Sequence, residues 1–260
     1  MSSLLRITSK DNKIIKTVSK LQTVGRSRKA NGLFVVEGLR LCKDAYLNGF
    51  EFEFLVVSDS GYNKHRAEFD DILSSANDSY IVPDDLFLKI SDTVSPQGII
   101  GVIKYKNNSD FKADGKYIAL ENVQDPSNLG AIARSAEAFG ITAIVISSNG
   151  CDAFSPKALR ASMGALLRIN VYTVDNVVDF LKMHNIKTYA CVVDSAATDI
   201  RTITFDSPCA ALIGNEGNGL SEYAIGNCDE SITIRMSGKA ESLNAAMAAT
   251  VVIWQMTKNS

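Results

Sequence analysis

Residues 209–247 read CAALIGNEGNGLSEYAIGNCDESITIRMSGKAESLNAAM. Two short runs, Cys209–Ile213 and Ser231–Arg235, each end in a loop of small residues. The first loop is Gly214-Asn215-Glu216-Gly217-Asn218-Gly219. The second is Met236-Ser237-Gly238-Lys239-Ala240-Glu241, leading into an Ala-rich helix from Ser242. An apolar run of about five residues is the mark of a strand buried on both faces. Open α/β sheets bind ligands at the carboxyl ends of such strands. Glycine there lets backbone come close to a ligand and present its N–H groups. A tight strand-to-helix connection would use the same residues. Two such loops, with Glu216, Ser242 and Asn244 around them, favour a binding site.

The pattern extends outward as alternating strands and helices. Ser9 is placed to cap a helix carrying Ile14, Ile15, Val18 and Leu21, and residues 25–32 read as an exposed loop. Strands are expected at 33–37, 50–58, 80–82 and 98–105, with helices at 39–48, 64–75 and 84–90. The polar stretch KNNSDFKADG, residues 106–115, reads as a linker. The expected organisation is a small α/β domain over 1–106, a linker over 107–115 and a larger, mostly parallel α/β domain over 116–260. In the second domain, strand 117–123 leads into a helix with Asn128 as its N-cap, running from Leu129 to Phe139 and stopped by Gly140. Strands at 141–147, 169–173 and 188–193 follow, with helices at 177–184 and from Ser155-Pro156 to about Leu167. A last helix spans 242–258.

Composition narrows the function classes. The longest apolar stretch, Ala245–Trp254, is too short to span a bilayer. The start, MSSLLRITSK, has no apolar core of a secretory signal. Five cysteines lie far apart with no CxxC, and two histidines have no ligand-like spacing, so neither a metal site nor a disulfide framework is expected. These features predict a reduced, cytoplasmic protein. Residues 1–43 hold ten basic and two acidic groups, a local charge of +8 in a chain of net −2. A concentrated positive field attracts polyphosphates. Arg26, Arg28 and Lys29, between Gly25 and Gly32, are the clearest candidates for nucleic-acid contact, with Arg40 beside them in sequence. Neither a G-x-G-x-x-G at a strand–helix junction nor a GxxxxGK[ST] loop occurs, and no hydrolytic grouping of Ser or Cys with His is evident.

One more stretch carries chemistry: ENVQDPSNLGAIARSAEAFG, residues 121–140. It puts Asn122, Asp125 and Asn128 at a strand's carboxyl end. Arg134 follows, within an otherwise small and apolar helix, one turn from Gly130. Such an arginine pairs with a carboxylate or grips a phosphate.

Taken together, three segments resemble the three motifs of the SpoU/TrmH family of RNA ribose 2′-O-methyltransferases, in the SPOUT class. They are Asn122–Gly130 with Arg134, Leu212–Leu220, and Ile234–Met236 through Ser242–Ala246. Phe34–Gly38 (FVVEG) and Pro96–Val102 (PQGIIGV) resemble the family's amino-terminal substrate-binding domain. The resemblance implies a carboxyl-terminal trefoil-knot domain and a ribosomal-protein-like RNA-binding domain before it. It implies S-adenosylmethionine held around Leu212, Gly214, Asn215, Gly217, Ile234, Met236 and Leu243. It also implies a homodimer packed through the first motif and the last helix. The stripe Leu243, Met247, Val251 and Trp254 fits that interface, and would equally fit burial in the helix's own core.

The implied catalytic set is Arg134, Asn128, Glu216, Ser242 and Asn244. A guanidinium is protonated at any working pH, so an arginine suits phosphate binding and stabilisation of a developing alkoxide better than proton abstraction. Glu216 is expected to orient Arg134 or backbone amides, Asn244 to orient the ribose, and Ser242 to cap its helix as well as touch substrate. Ribosomal RNA is the expected substrate. The alternatives are transfer RNA, a base- or small-molecule-directed enzyme of related fold, and a non-catalytic RNA-binding or ribosome-assembly protein.

Overall fold

The computed structural model describes residues 4–106 and 110–258. The chain forms two compact units: Met1–Asn107 with Phe154–Arg160, and Asn108–Ala153 with Ala161–Ser260. Residues 107–109 of the expected linker lie outside the described residues. Further along that stretch, the Phe111 ring lies 4.9 Å from those of Tyr117 and Phe180 and packs against the second unit's core.

The first unit runs β1 (Leu5–Arg6), α1 (Lys13–Thr23), α2 (Gly25–Asn31), β2 (Leu33–Glu37), α3 (Leu39–Leu47), β3 (Phe52–Ser58), α4 (Asp59–Lys64), α5 (Arg66–Leu73), β4 (Asp78–Val82), α6 (Asp84–Ile90) and β5 (Ile99–Lys104). The sheet order is β1-β4-β3-β5-β2; β5 is antiparallel to both neighbours and the other pairs are parallel. Ile15, Val18 and Leu21, each three apart, bury one face of α1 against Val35, Val56 and Val102.

Three local expectations change here. Asn12, not Ser9, caps α1, its side chain accepting from Ile14 N at 2.8 Å. The expected helix 64–75 narrows to α5 (Arg66–Leu73), and a separate short helix, α4, precedes it and ends at Lys64. Most importantly, residues 25–31 are the helix α2 rather than a loop. Gly25 and Ser27 are weak helix formers, yet the αL turn at Gly32 (φ 63°) closes a full helical C-terminus.

The second unit runs β6 (Lys116–Leu120), α7 (Pro126–Ala138), β7 (Ala143–Ser147), α8 (Pro156–Ala161), a 3₁₀ turn (Ala165–Leu167), β8 (Asn170–Val174), α9 (Val177–Met183), β9 (Lys187–Cys191), β10 (Thr198–Asp199), β11 (Cys209–Ile213), α10 (Glu222–Asn227), β12 (Glu230–Thr233) and α11 (Ala245–Thr257). Residues 156–160 of α8 belong to the first unit. Seven strands order as β10-β12-β9-β11-β6-β7-β8, all parallel. All five residues of β11 are buried, as the run Cys209–Ile213 demands for a strand flanked by β9 and β6.

Two caps differ from expectation. Asp125 caps α7, its carboxylate accepting from Ser127 N at 2.9 Å, with Pro126 as the first helical residue. Asn128 is thus inside the helix, and its side chain is released for other contacts. Asn244 caps α11 by accepting from Ala246 N and Met247 N, so Ser242 lies before the helix and does not cap it. The expected helix 156–167 ends early because Gly164 turns left-handed (φ 85°). Among the described residues, no helix is long and apolar enough to cross a membrane.

Candidate active site

The parallel sheet brings the carboxyl ends of β6 and β11 side by side, in register from Cys209 opposite Lys116 to Ile213 opposite Leu120. The loops that leave them are therefore neighbours, although about ninety residues separate them in sequence. Glu216 joins them. Its carboxylate accepts from Gln124 N at 3.1 Å, Asp125 N at 3.0 Å and Asn128 Nδ2 at 2.9 Å. It does not reach Arg134. The Asn128 Oδ1 in turn accepts from Asn244 Nδ2 at 3.1 Å. Asn244 spends its own Oδ1 on the amides of α11. Three loops, after β6, β11 and β12, are thereby pinned by one chain of hydrogen bonds.

Further bonds fix each loop. In 214–219, Asn215 and Gly219 exchange backbone hydrogen bonds at 2.9 Å, and Asn215 Oδ1 accepts from Gly217 N and Asn218 N. Asn215 Nδ2 donates to Asn122 O at 2.9 Å, and Asn122 holds a left-handed φ of 56° with its N–H on Ser147 Oγ. A Cβ on Gly214 would overlap the backbone of Gly219 and Leu220, so only glycine fits. Glu121, which sequence reasoning passed over, accepts from Ser221 N at 2.7 Å and Ser221 Oγ at 2.8 Å. Its signal was its place directly ahead of Asn122, at a strand end facing an incoming loop.

Burial pushes the Glu216 carboxyl up, but its donors outweigh this: Asn128 Nδ2 and the amides of Gln124 and Asp125 hold it below the ordinary value. A depressed carboxyl contributes stability that is complete above its unfolded pKa and is lost as pH falls through the folded one. The melting-temperature gap between the protein and Glu216→Gln should therefore be largest at neutral pH and close as pH drops below about 4. A gap constant from pH 7 to about 3 would remove Glu216 from this role.

Of the five expected catalytic residues, Asn128, Glu216 and Asn244 form the framework. Arg134 and Ser242 are exposed, and neither side chain hydrogen-bonds within the described residues. Arg134 stands on α7, six residues beyond Asn128.

Beside the framework lies an apolar cleft lined by Cys191–Val193, Ile200, Ile232–Ile234, Met236, Leu243, Ala248 and Val252. It gathers Ile234, Met236 and Leu243 of the expected cofactor set. Leu212 is instead fully buried in β11, and Gly214, Asn215 and Gly217 lie in the loop after it, outside the lining. Cys191 at the end of β9, Val192 and Val193 after it, and Ala248 of α11 were not anticipated. Strand order, which sets β9 against β12, brings the first three to the cleft.

The basic candidates divide as well. Arg26, Lys29 and Arg40 are exposed. Arg28 is 4% exposed, and its Nη1 donates to Leu21 O at 2.6 Å and Gln22 O at 3.2 Å. A cation on the last carbonyls of α1 offsets their partial negative charge. Arg28 thus ties α2 to α1 and is corrected from RNA contact to structural support.

Residues 115–254 match the model of the SpoU rRNA methylase family. The chain belongs to the SpoU rRNA methylase family. Residues 12–101 match the MRM3-like substrate-binding domain. The 23S rRNA (guanosine(2553)-2′-O)-methyltransferase RlmP of Bacillus subtilis is 30% identical over 254 residues, covering 96% of this chain and 98% of RlmP. An AdoMet-bound rRNA methyltransferase from Sinorhizobium meliloti superposes with a TM-score of 0.84 at 28% identity, covering 97% of each chain. The SpoU methyltransferase AviRb from Streptomyces viridochromogenes shares the fold, with a TM-score of 0.85, 24% identity and coverage of 95% of this chain and 97% of AviRb. The SPOUT fold with an added amino-terminal domain is accordingly the architecture of this SpoU chain.

Proposed function

We propose that this SpoU chain transfers a methyl group from S-adenosylmethionine to a ribose 2′-OH of ribosomal RNA, as a homodimer. The observation that carries the reading is the Asn128–Glu216–Asn244 framework beside the apolar cleft, with Arg134 left as a free cation on α7. The cleft suits the cofactor: a purine packs between aliphatic walls such as Ile232, Ile234 and Leu243, and loop backbone at the strand ends supplies its polar partners. When bound, the sulfonium supplies an activated methyl and departs as a neutral thioether.

The remaining work falls to the chain. Asn128, Glu216 and Asn244 have their polar atoms engaged, so their part is to hold three loops in fixed geometry. Arg134 is free to bind the target phosphodiester and to stabilise negative charge developing on the 2′-oxygen. Ser242 is free to hydrogen-bond substrate. Alignment is where such a site gains most, because methyl transfer requires the hydroxyl in line with the bond it breaks.

RlmP supports ribosomal RNA over transfer RNA, as does the MRM3-like domain, which carries Arg26, Lys29 and Arg40 on its surface. The exposed stripe Met247, Val251 and Trp254 on α11, with Phe139 of α7 set 5.5 Å from Trp254, supports a second copy as its cover. Sedimentation equilibrium showing only monomer would overturn that part.

Labelled S-adenosylmethionine with unmodified total RNA tests the activity. Label in one ribosomal RNA fragment, surviving alkali as a dinucleotide, is the expected result. Label in transfer RNA overturns the substrate; an alkali-labile product overturns the 2′-O position.

Charge reversal separates the basic residues. Arg26→Glu with Lys29→Glu should weaken RNA binding and flatten its dependence on salt, by a slope change of roughly 0.7–0.9 per lost phosphate contact. Arg28→Ala should instead cost about 1–3 kcal/mol of stability with the salt slope unchanged. A slope change in Arg28→Ala alone would reverse the assignment.

A further inference from the structure

One wall of the apolar cleft is packed at Ile200, which is buried, and only loosely at Val193. It consists of Cys191–Val193 and Ile200, which bracket residues 194–199. Val193 is 71% exposed, so little apolar contact holds it in place. Within the bracketed stretch, Asp194 Oδ1 accepts from Ala196 N at 2.8 Å and Asp194 O from Ala197 N at 3.3 Å. Those bonds shape a local turn without fastening it to the sheet. The strand pairing that follows is two residues long, Thr198 with Ile232 and Asp199 with Thr233.

Val192 N on Ile232 O and Gln255 Nε2 on Ile200 O, both at 2.9 Å, hold the two ends of this wall, and Arg235, two residues past the end of β12, fastens the turn between them. Its Nη1 donates to Ser195 O at 2.8 Å and its Nη2 to Ala197 O at 3.4 Å. A planar guanidinium can span two carbonyls at once, whereas an ammonium is a point donor. Arg235 sits between Ile234 and Met236, both in the cleft lining, so it ties the wall formed by 191–200 to the wall formed by 232–236.

We infer that Arg235 is a positioning residue for cofactor binding: it sets the width of the cleft by anchoring the 194–197 turn, without touching the cofactor itself. This rests on the reading that the cleft takes S-adenosylmethionine. An open wall would bind the purine less well, because the binding site would have to be ordered at the moment of binding.

The test is isothermal titration of S-adenosylmethionine and S-adenosylhomocysteine into the full chain, into Arg235→Met and into Arg235→Lys, with RNA affinity and melting temperature recorded for each. Arg235→Met should bind both ligands roughly tenfold more weakly, with KM for S-adenosylmethionine raised and kcat at saturation kept. Arg235→Lys, which keeps one donor, should fall between it and the parent. RNA affinity should not move. Cofactor affinity equal to the parent in both variants, whatever their melting temperatures, would overturn the inference, as would a loss confined to RNA affinity. If Arg235→Met does not fold, Arg235→Lys decides alone by the same criterion. Failure of the parent itself to bind S-adenosylmethionine would be a separate result, striking the functional reading rather than the part given to Arg235.

Discussion

Arg134→Ala should lower turnover by roughly 10²–10³-fold and leave both cofactor binding and the melting temperature at parental values. The second half of that expectation follows from geometry. The Arg134 side chain is exposed and makes no hydrogen bond or ion pair within the described residues, so truncating it strands no partner. The first half follows from its neighbours. α7 begins at the carboxyl end of β6, where Glu216 and Asn128 lock the loops together, and Arg134 projects from the same helix. A cation there gains its value only as charge develops on the attacking oxygen or when a phosphodiester docks. Arg134→Lys should recover part of the activity by keeping the charge and losing the two-pronged donor. Single-turnover kinetics with saturating RNA would separate phosphate binding from charge stabilisation. Activity of Arg134→Ala within about twofold of the parent would sink the assignment, since even one lost donor at a developing oxyanion costs far more.

Gly214→Ala should cost at least about 3 kcal/mol of stability and abolish turnover. The added methyl would meet the carbonyl carbon and oxygen of Gly219 and the nitrogen of Leu220, none of which can rotate away. Relief requires moving the 214–219 loop, which is closed by the paired Asn215–Gly219 hydrogen bonds. Movement of that loop withdraws Glu216 from Gln124, Asp125 and Asn128 together. Gly217→Ala is the matched control. A Cβ at Gly217 meets only Asn215 Oδ1, at 3.6 Å, so stability should stay within about 0.5 kcal/mol of the parent. Thermal or urea unfolding of the two variants checks both. Equal stability would mean that the loop is not constrained as the Gly214–Gly219 approach requires.

The apolar and glycine pattern made the alternation of strands and helices legible, with strand ends placed to within two or three residues and Cys209–Ile213 matched by β11 in full. Helix ends were less so, because several side chains near each end could serve as cap. Ser9 competed with Asn12, Asn128 with Asp125 and Ser242 with Asn244, and in each pair the winner was the residue whose backbone stood just outside the helix. The loop expected at 25–32 failed for a related reason. Arg28 looked like a surface cation because its partners, the carbonyls of Leu21 and Gln22, become available only when α1 ends beside it.

By itself the sequence determined the class of fold and, through three resembling motifs, the family, since these depend on which residue types recur and at what spacing. It could also name candidates for the site. Only the tertiary structure decided which of them are held together. Strand order sets β11 beside β6, and that adjacency converts Glu216, Asn128 and Asn244 from separate candidates into one framework while leaving Arg134 free. The same strand order places β9 against β12 and so builds the cleft that Arg235 borders. The physical reason is that a hydrogen bond between residues some ninety positions apart has no local signature: it exists only once the sheet has fixed its two ends within three ångströms of one another.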